Sequence, residues 1–426
     1  ITFYMNSDLY NGLPDNVREL VDACAKAATQ YGNDRADESI AEYKKTCEDA
    51  GCQIITLDDS VLAELRDKAQ VVYDMVREDL GNEIVDKLLA AVDTVRETVV
   101  DEATLGDEIT AVDPADIDGE YHWTAAMTVA DTSINYMMVD KFAELINEKS
   151  GGKISVDIYP GGQLGNTTEF TEAVIGGSID IGTGMSTDLV DFIPQFAVFD
   201  MPNLFDNTAQ MRSVLRGDFV NVMNKYCNAG GIQMLGYSDA GFRELTTNKE
   251  THTLADLKGQ KIRVMTNKYH IAYWNALGAA ATPMQFTEVF MGLQQGTIDG
   301  QENPYMNIVG NNVQEVQKYV VETNHLGHII TFYMNKDLYG SLPENVKTLV
   351  DECAAAATKY GNSKADESIK GYKKTCEDAG CQIITLDDSV LAELREKAEP
   401  VYEMVREDLG DEIVNQLFDA INAAKQ

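Results

Sequence analysis

Nowhere do 18 consecutive apolar residues occur in this 426-residue chain, so no segment has the length and hydropathy of a membrane-spanning helix. The first residue is Ile, and neither the charged nor the apolar stretch of a secretory signal follows it; the start of the chain is expected to have been removed or to be missing. Basic residues are scarce. The 34 Lys and Arg face 70 Asp and Glu, a formal charge of −36 that would repel nucleic-acid phosphates and anionic lipid. A solvated acidic surface and an adaptation to a salty medium both fit that balance.

Catalytic signatures are missing as well. GYSDAG and GMSTD lack the spacing of a nucleophile elbow, and PGGQLG is glycine-rich without the lysine and hydroxyl of a phosphate loop. Of five histidines, His325 and His328 lie close together in NHLGHII. On a regular strand, residues three apart face opposite sides and do not close on one metal, so a structural role is expected for both. The chain is therefore expected to be no enzyme, with no catalytic residue, no metal site and no cofactor. Seven cysteines are present. Cys47 and Cys52, like Cys376 and Cys381, flank EDAG, where a helix should end on a glycine cap and turn back into a strand. They are either disulfide partners in an oxidising compartment or small buried hydrophobes, with Cys24, Cys227 and Cys353 unpaired.

What is present begins with size. At 44% hydrophobic and two to three times the usual domain length, the chain should hold more than one domain. Residues 1–97 repeat residues 330–426, with roughly seven positions in ten matching, and YKKTCEDAGCQIITLDDSVLAELR is unchanged in both copies. A period of that length is a domain-sized duplication and no solenoid. Residues 98–118, rich in acid and containing Pro114, read as a linker.

From Tyr121 onward, short runs rich in Val, Ile, Tyr and Thr (HWTAAMTV, ISVDIYP, IDIGTGM, IQMLGYS, KIRVM, HIITFYM) alternate with helix-length amphipathic stretches, which predicts an α/β fold of mainly parallel sheets. The repeated piece opens on a strand and continues into a helical run of about 30 residues, on the order of 45 Å long and able to cross two lobes, with Gly361 and Asn362 as a candidate kink. A strand, QIITL, and two more helices should finish the chain. GLQQGTIDGQENP at 292–304 reads as a helix end followed by a turn carrying three consecutive polar side chains.

With the elements in this order, residues 119–426 resemble a complete solute-binding protein of the tripartite ATP-independent periplasmic (TRAP) transporters, the DctP-like family. The blocks that carry the resemblance are YPGGQLGNTTEFTEAVIGGSIDIG (159–182), GFRELTTNK (241–249), DLKGQKIRV (256–264) and LGAAATPMQFTEVFMGLQQGTIDGQENP (277–304). The resemblance implies a two-lobed periplasmic-binding-protein-like fold. It divides the chain into a partial duplicate of the C-terminal third (1–97), the linker (98–118) and the binding domain (119–426). Lobe I is then about 119–240 plus 329–368, and lobe II about 241–328 plus 369–426.

It also implies residues. Arg263 in KIRV would pair with the carboxylate of an organic acid in the interlobe cleft, and Asn303 in GQENP would donate to it. Arg243 would add a second contact, and Phe286 would pack on the ligand body. Taken on their own chemistry, Arg243 equally suits an ion pair with a nearby acid, Asn303 a plain turn position before Pro304, and Phe286 plain core. Thr128 in the first cleft loop, Met185 and Thr266 complete the candidates. Met265 stands where many members have Pro, and Met185 where others offer a polar or acidic group. That favours a monocarboxylate with an apolar or lightly hydroxylated body. The implied function is extracytoplasmic, periplasmic capture of a small organic acid and its delivery to TRAP permease membrane subunits. A ligand-sensing module for a signalling receptor is the alternative. The N-terminal copy, without counterparts of Arg243, Arg263, Phe286 and Asn303, is expected to bind nothing.

Overall fold

A computed structural model describes residues 105–424 and, ahead of them, only scattered positions between Met5 and Arg77. The chain divides into two units, Ile1–Ala90 and Ala91–Gln426. In the first, the Tyr10 hydroxyl donates to Asp22 at 2.6 Å. Their counterparts in the second, Tyr339 and Asp351, meet at 2.8 Å. The remainder of the partial duplicate, Cys47 and Cys52 included, lies outside the described residues, as does the expected linker up to residue 104.

The described part of that segment, residues 105–118, packs as part of the second unit. Ile109 and Ile117 are buried with Leu145, Ile146 and Val346. The Val112 N–H donates to the Lys149 carbonyl at 2.9 Å, and Asn345 Nδ2 to the Asp116 carbonyl at 3.1 Å.

Among its described residues the second unit has nine strands: β1 (Tyr121–Ala126), β2 (Ile154–Tyr159), β3 (Ile181–Met185), β4 (Ile232–Thr247), β5 (Lys261–Val264), β6 (Ala280–Pro283), β7 (Gly300–Asn303), β8 (Tyr319–Asn335) and β9 (Gln382–Thr385). The sheet is mixed, which corrects the expectation of mainly parallel pairing. β2, β1 and β3 are parallel at one end, and β7, β5 and β6 at the other. The long antiparallel strands β4 and β8 join the two sets, and β9 adds to the Tyr319–Glu322 end of β8. Glycines and polar residues break the apolar runs of β4 and β8 into pieces, so each looked like a shorter strand. Their mutual register slips between Asp239 and Phe242 and again between Arg243 and Leu245. Gly241 sits in the first slip at φ +75°, a conformation that favours glycine, and Asn324 lies opposite the second at φ +44°. The two ends of the sheet form the two lobes of a periplasmic-binding-protein-like fold.

Helices follow their local signals. Helix α1 (Ile134–Lys149) starts at Ser133, whose side chain accepts from the Tyr136 N–H at 3.2 Å. It buries Ile134, Met138, Val139, Phe142, Leu145 and Ile146 along one stripe. Helix α2 (Thr167–Ile175) has the reciprocal Asn166–Glu169 capping box. Helices α3 (Thr208–Arg216), α4 (Phe219–Ala229), α5 (Lys268–Ala276) and α6 (Tyr305–Gly310) lead to α7 (Glu344–Asp378).

Helix α7 runs 35 residues without a break, about 52 Å at 1.5 Å per residue. Gly361 and Asn362 form a docking point in place of the expected kink. A Cβ on Gly361 would stand 2.8 Å from Ser238 Oγ and 3.3 Å from Met138 Cβ. Asn362 Oδ1 accepts from the Ser238 hydroxyl at 2.9 Å and the Asp239 N–H at 3.2 Å. Along its length α7 packs on α1 and β4, then on α6 and β9. Three helices close the chain where two were expected: α8 (Asp388–Glu396), α9 (Glu399–Leu409) and α10 (Asp411–Ala423). The last two pack on α5 and also on α3 and residues 194–200, so the C-terminal helices serve more than one lobe. Cys227, Cys353, Cys376 and Cys381 are buried thiols, and Cys24 is an exposed one.

Candidate functional site

The segment GQEN is a buried strand where a turn was expected. β7 pairs antiparallel with β4 (Leu245 opposite Glu302) and parallel with β5 (Arg263 opposite Gln301). Gln301 and Glu302 have no exposed surface and Asn303 only 3%. Three polar side chains in a central strand carry no β-branched or alternating signal, which is why the pattern read as a turn. Their burial requires partners, and the partners define the site.

Glu302 faces Arg243 in a bidentate pair. Arg243 Nε donates to Oε2, and Nη2 donates to Oε1 at 2.9 Å and to the Glu302 carbonyl at 2.6 Å. Arg243 Nη1 meets His328 Nδ1 at 2.8 Å and the Met185 sulfur at 3.4 Å. His325 Nε2 lies 3.1 Å from Glu302 Oε2. The two histidines, expected on opposite faces, thus converge on one ion pair, because the register slip between Asp239 and Phe242 falls opposite His328 and breaks the regular alternation. Burial alone would raise the Glu302 pKa. Arg243 and the His325 hydrogen bond outweigh it and hold the carboxyl well below the usual range. Burial depresses both histidines, with Arg243 pushing His328 further down, so both are neutral near pH 7.

All five Arg243 N–H groups are thereby engaged, and only the one on the methionine sulfur meets a weak acceptor. Arg263 differs. It is 3% exposed, and its Nε and Nη2 both donate to the Met284 carbonyl, at 2.9 and 2.6 Å. Among the described residues no carboxylate pairs with it and its Nη1 makes no hydrogen bond. Burial lowers its pKa to about 10, countered in part by Glu302, so it keeps its charge at neutral pH. Its guanidinium carbon lies 5.7 Å from the centre of the Phe286 ring. Asn303 Nδ2 donates to Gln301 Oε1 at 2.5 Å, and its Oδ1 accepts from Asn307 at 3.2 Å.

Six of the seven candidates line one cavity: Thr128, Met185, Arg243, Arg263, Phe286 and Asn303, around some 450 Å³ of atom-free space, its mouth included. Thr266 does not join them; it is exposed. Arg263 and Met265, two apart at the end of β5, both face the cavity, and alternation turns Thr266 away. Phe286 both lines the cavity and packs against the Val289–Ile308 core, so its two readings hold together.

Sequence reasoning missed Asn135, Asp188, Asn307 and His328, which also line the cavity. Asn307 was legible as the position one helical turn after Asn303. Asp188 was legible as the acid three residues after Met185, whose N–H it accepts at 2.8 Å in a single helical turn. Its pKa rises to about 6: burial raises it, and the Met185 N–H, Arg243 and Arg263 offset part of that.

A cavity at the crossing of two lobes, walled by a buried cation and polar groups from both halves of the sheet, defines a solute-binding protein of the two-lobed periplasmic class. The chain belongs to the bacterial extracellular solute-binding protein family 7 (DctP), which it matches over residues 1–79 and 125–408. It is 31% identical over 290 residues to the C4-dicarboxylate-binding periplasmic protein DctP of Rhodobacter capsulatus, covering 67% of this chain and 85% of that one. Among solved structures, it is similar to the sugar acid binding protein of Advenella mimigardefordensis in complex with galactonate, at 29% identity and TM-score 0.70 over 72% of this chain and 100% of that one. A TRAP periplasmic solute-binding protein from Shewanella oneidensis with bound succinate superposes at TM-score 0.68 and 25% identity, with the same coverage of 72% and 100%. The family is one of solute-binding transport proteins. No helix among the described residues is long and apolar enough to cross a membrane.

Proposed function

We propose that this protein binds a small organic acid by its carboxylate between the two lobes, in the periplasm, and delivers it to ion-gradient-driven TRAP permease subunits without catalysing a reaction. The observation that carries this reading is Arg263, a buried guanidinium with no acid partner among the described residues and unused N–H donors facing a cavity. A buried charge is stable only when paired, and Arg presents two parallel donors matched to a carboxylate. With Arg243 neutralised by Glu302, Arg263 supplies the local positive charge that offsets the repulsion of a −36 protein. Asn303 adds a donor, Phe286 covers the ligand body, and Thr128 and Met185 complete the lining. Relatives bound to succinate and galactonate support the ligand class.

We assign lobe I to about 119–240 plus 329–368 and lobe II to about 241–328 plus 369–426, with β4 and β8 as the crossing strands. Contacts from both lobes to one ligand select the closed state. The test is a thermal-shift screen against small organic acids. A true ligand at about 100 Kd adds roughly 2.7 kcal/mol of stability, and a panel of organic acids without a single shift would overturn the reading.

A further inference from the structure

His328 lines the cavity from β8, and the carboxylate reading gives it no role. Its Nδ1 lies 2.8 Å from Arg243 Nη1. A guanidinium has five N–H donors and no acceptor, so this bond has one direction: Arg243 donates and Nδ1 accepts. A neutral imidazole carries a single proton, which is then on Nε2. A second proton, on Nδ1, would set two donors face to face, and burial beside the Arg243 charge keeps the ring neutral. His325 holds the same tautomer through other partners. Its Nε2 donates to Glu302 Oε2 at 3.1 Å, and its Nδ1 accepts from the Thr323 hydroxyl at 2.8 Å. The His325 proton is therefore used inside the protein. The His328 Nε2 has no hydrogen-bond partner among the described residues, although the residue is only 5% exposed and sits at the cavity with Met185, Arg243 and Arg263. A buried donor needs an acceptor, and what fills the cavity is in position to supply it.

We propose that His328 is a further ligand-binding residue, an uncharged Nε2–H donor to an oxygen of the bound acid, and that Arg243 is the positioning residue that fixes its tautomer. The proposal rests on the carboxylate-binding reading and deepens it. Arg243, whose charge is taken up by Glu302, acts on the ligand through the ring it orients, while Arg263 meets the acid directly. The donor also discriminates: an apolar ligand group placed against Nε2 leaves a buried N–H unsatisfied, and an oxygen there does not.

The experiment is proton–nitrogen correlation spectroscopy at pH 7 on the full chain labelled with nitrogen-15 histidine, which separates the two tautomers from the imidazolium. The five histidines are assigned by substituting them one at a time. Without ligand, His328 is expected as the Nε2–H tautomer. On titration with succinate, galactonate and the other acids of the screen, an acid that binds should move the His328 Nε2 resonance more than that of His325. Calorimetry on two variants separates ligand contact from packing. An Asn amide stands near the Nδ1 position and leaves Nε2 empty, whereas a Gln amide reaches the Nε2 position and gives up the acceptor for Arg243. His328→Asn should bind the acid about tenfold more weakly than wild type. His328→Gln should bind about threefold or more tighter than His328→Asn while melting at a lower temperature. An Nδ1–H tautomer or an imidazolium, a His328 Nε2 that ignores a bound acid, or affinities that merely follow the melting temperatures would overturn the proposal and leave carboxylate binding intact. A wild type that binds no acid at all overturns the carboxylate reading and this proposal with it. If the two variants do not fold, the wild-type spectra decide.

Discussion

Arg263 and Arg243 share a cavity wall and a side chain, and their surroundings give them different work. Arg243 completes a buried pair whose loss would strand Glu302, so Arg243→Ala should cost about 3–5 kcal/mol of folding stability in urea unfolding. Arg263→Ala removes a cation that has no acid partner among the described residues. It should leave the melting temperature close to wild type and weaken acid binding by about 2–5 kcal/mol, roughly 30- to several-thousand-fold. Asp188 gives a pH test. Its folded pKa of about 6 lies above the ordinary 3.8, so the folded state holds this proton more tightly, and the associated stability is full below about 3.8 and lost as pH rises through 6. Asp188→Asn, which keeps an acceptor for the Met185 N–H and cannot titrate, should therefore stabilise the ligand-free protein by roughly 1–3 kcal/mol at pH 8. That gain should shrink as pH falls from 6 toward 4 in thermal melts. At this scale the arginines and Asn303 were legible because they sit in motif blocks. Asp188 was passed over although its spacing from Met185 marked it, since an acid in an anion site runs against expectation, and Thr266 was named in place of Met265 because the exit register of β5 is invisible in the sequence.

Strand β7 is the element on which the site turns, since it holds Glu302 against Arg243 and Asn303 beside Arg263. Its entry at Gly300 admits no side chain: a Cβ there would stand 2.3 Å from the Thr246 carbonyl oxygen and 3.0 Å from Ile262 Cδ1. Gly300→Ala must push β7 off β4. It should lower the melting temperature by several degrees, equivalent to about 1–3 kcal/mol, and weaken acid binding in parallel. Ordinary elements such as α1, α2 and α7 were legible from caps and apolar stripes. β7 was not, because its residues are chosen for hydrogen bonds inside the protein and so imitate a surface turn. The continuous span of β4 and β8 was equally hidden by the glycines that let them twist from one lobe to the other.

For the whole molecule, the order of elements and the repeated segment made the two-lobed class and the duplication legible, whereas the mixed sheet depends on pairings far apart in the chain. Among the described residues the site draws on positions between 128 and 328, so deletion of residues 1–104 should leave the dissociation constant for the acid within about twofold of the full chain. A larger loss in titration would assign the N-terminal copy a part in binding. The account as a whole stands on one buried guanidinium awaiting an acid. Its most direct test is a titration of the best acid from the screen into wild-type protein, Arg263→Ala and Arg263→Lys, with melts recorded alongside. Binding by the wild type, a loss of at least about 30-fold in Arg263→Ala, partial recovery in Arg263→Lys and unchanged melts are the predicted result. Equal affinity in wild type and a folded Arg263→Ala would contradict it.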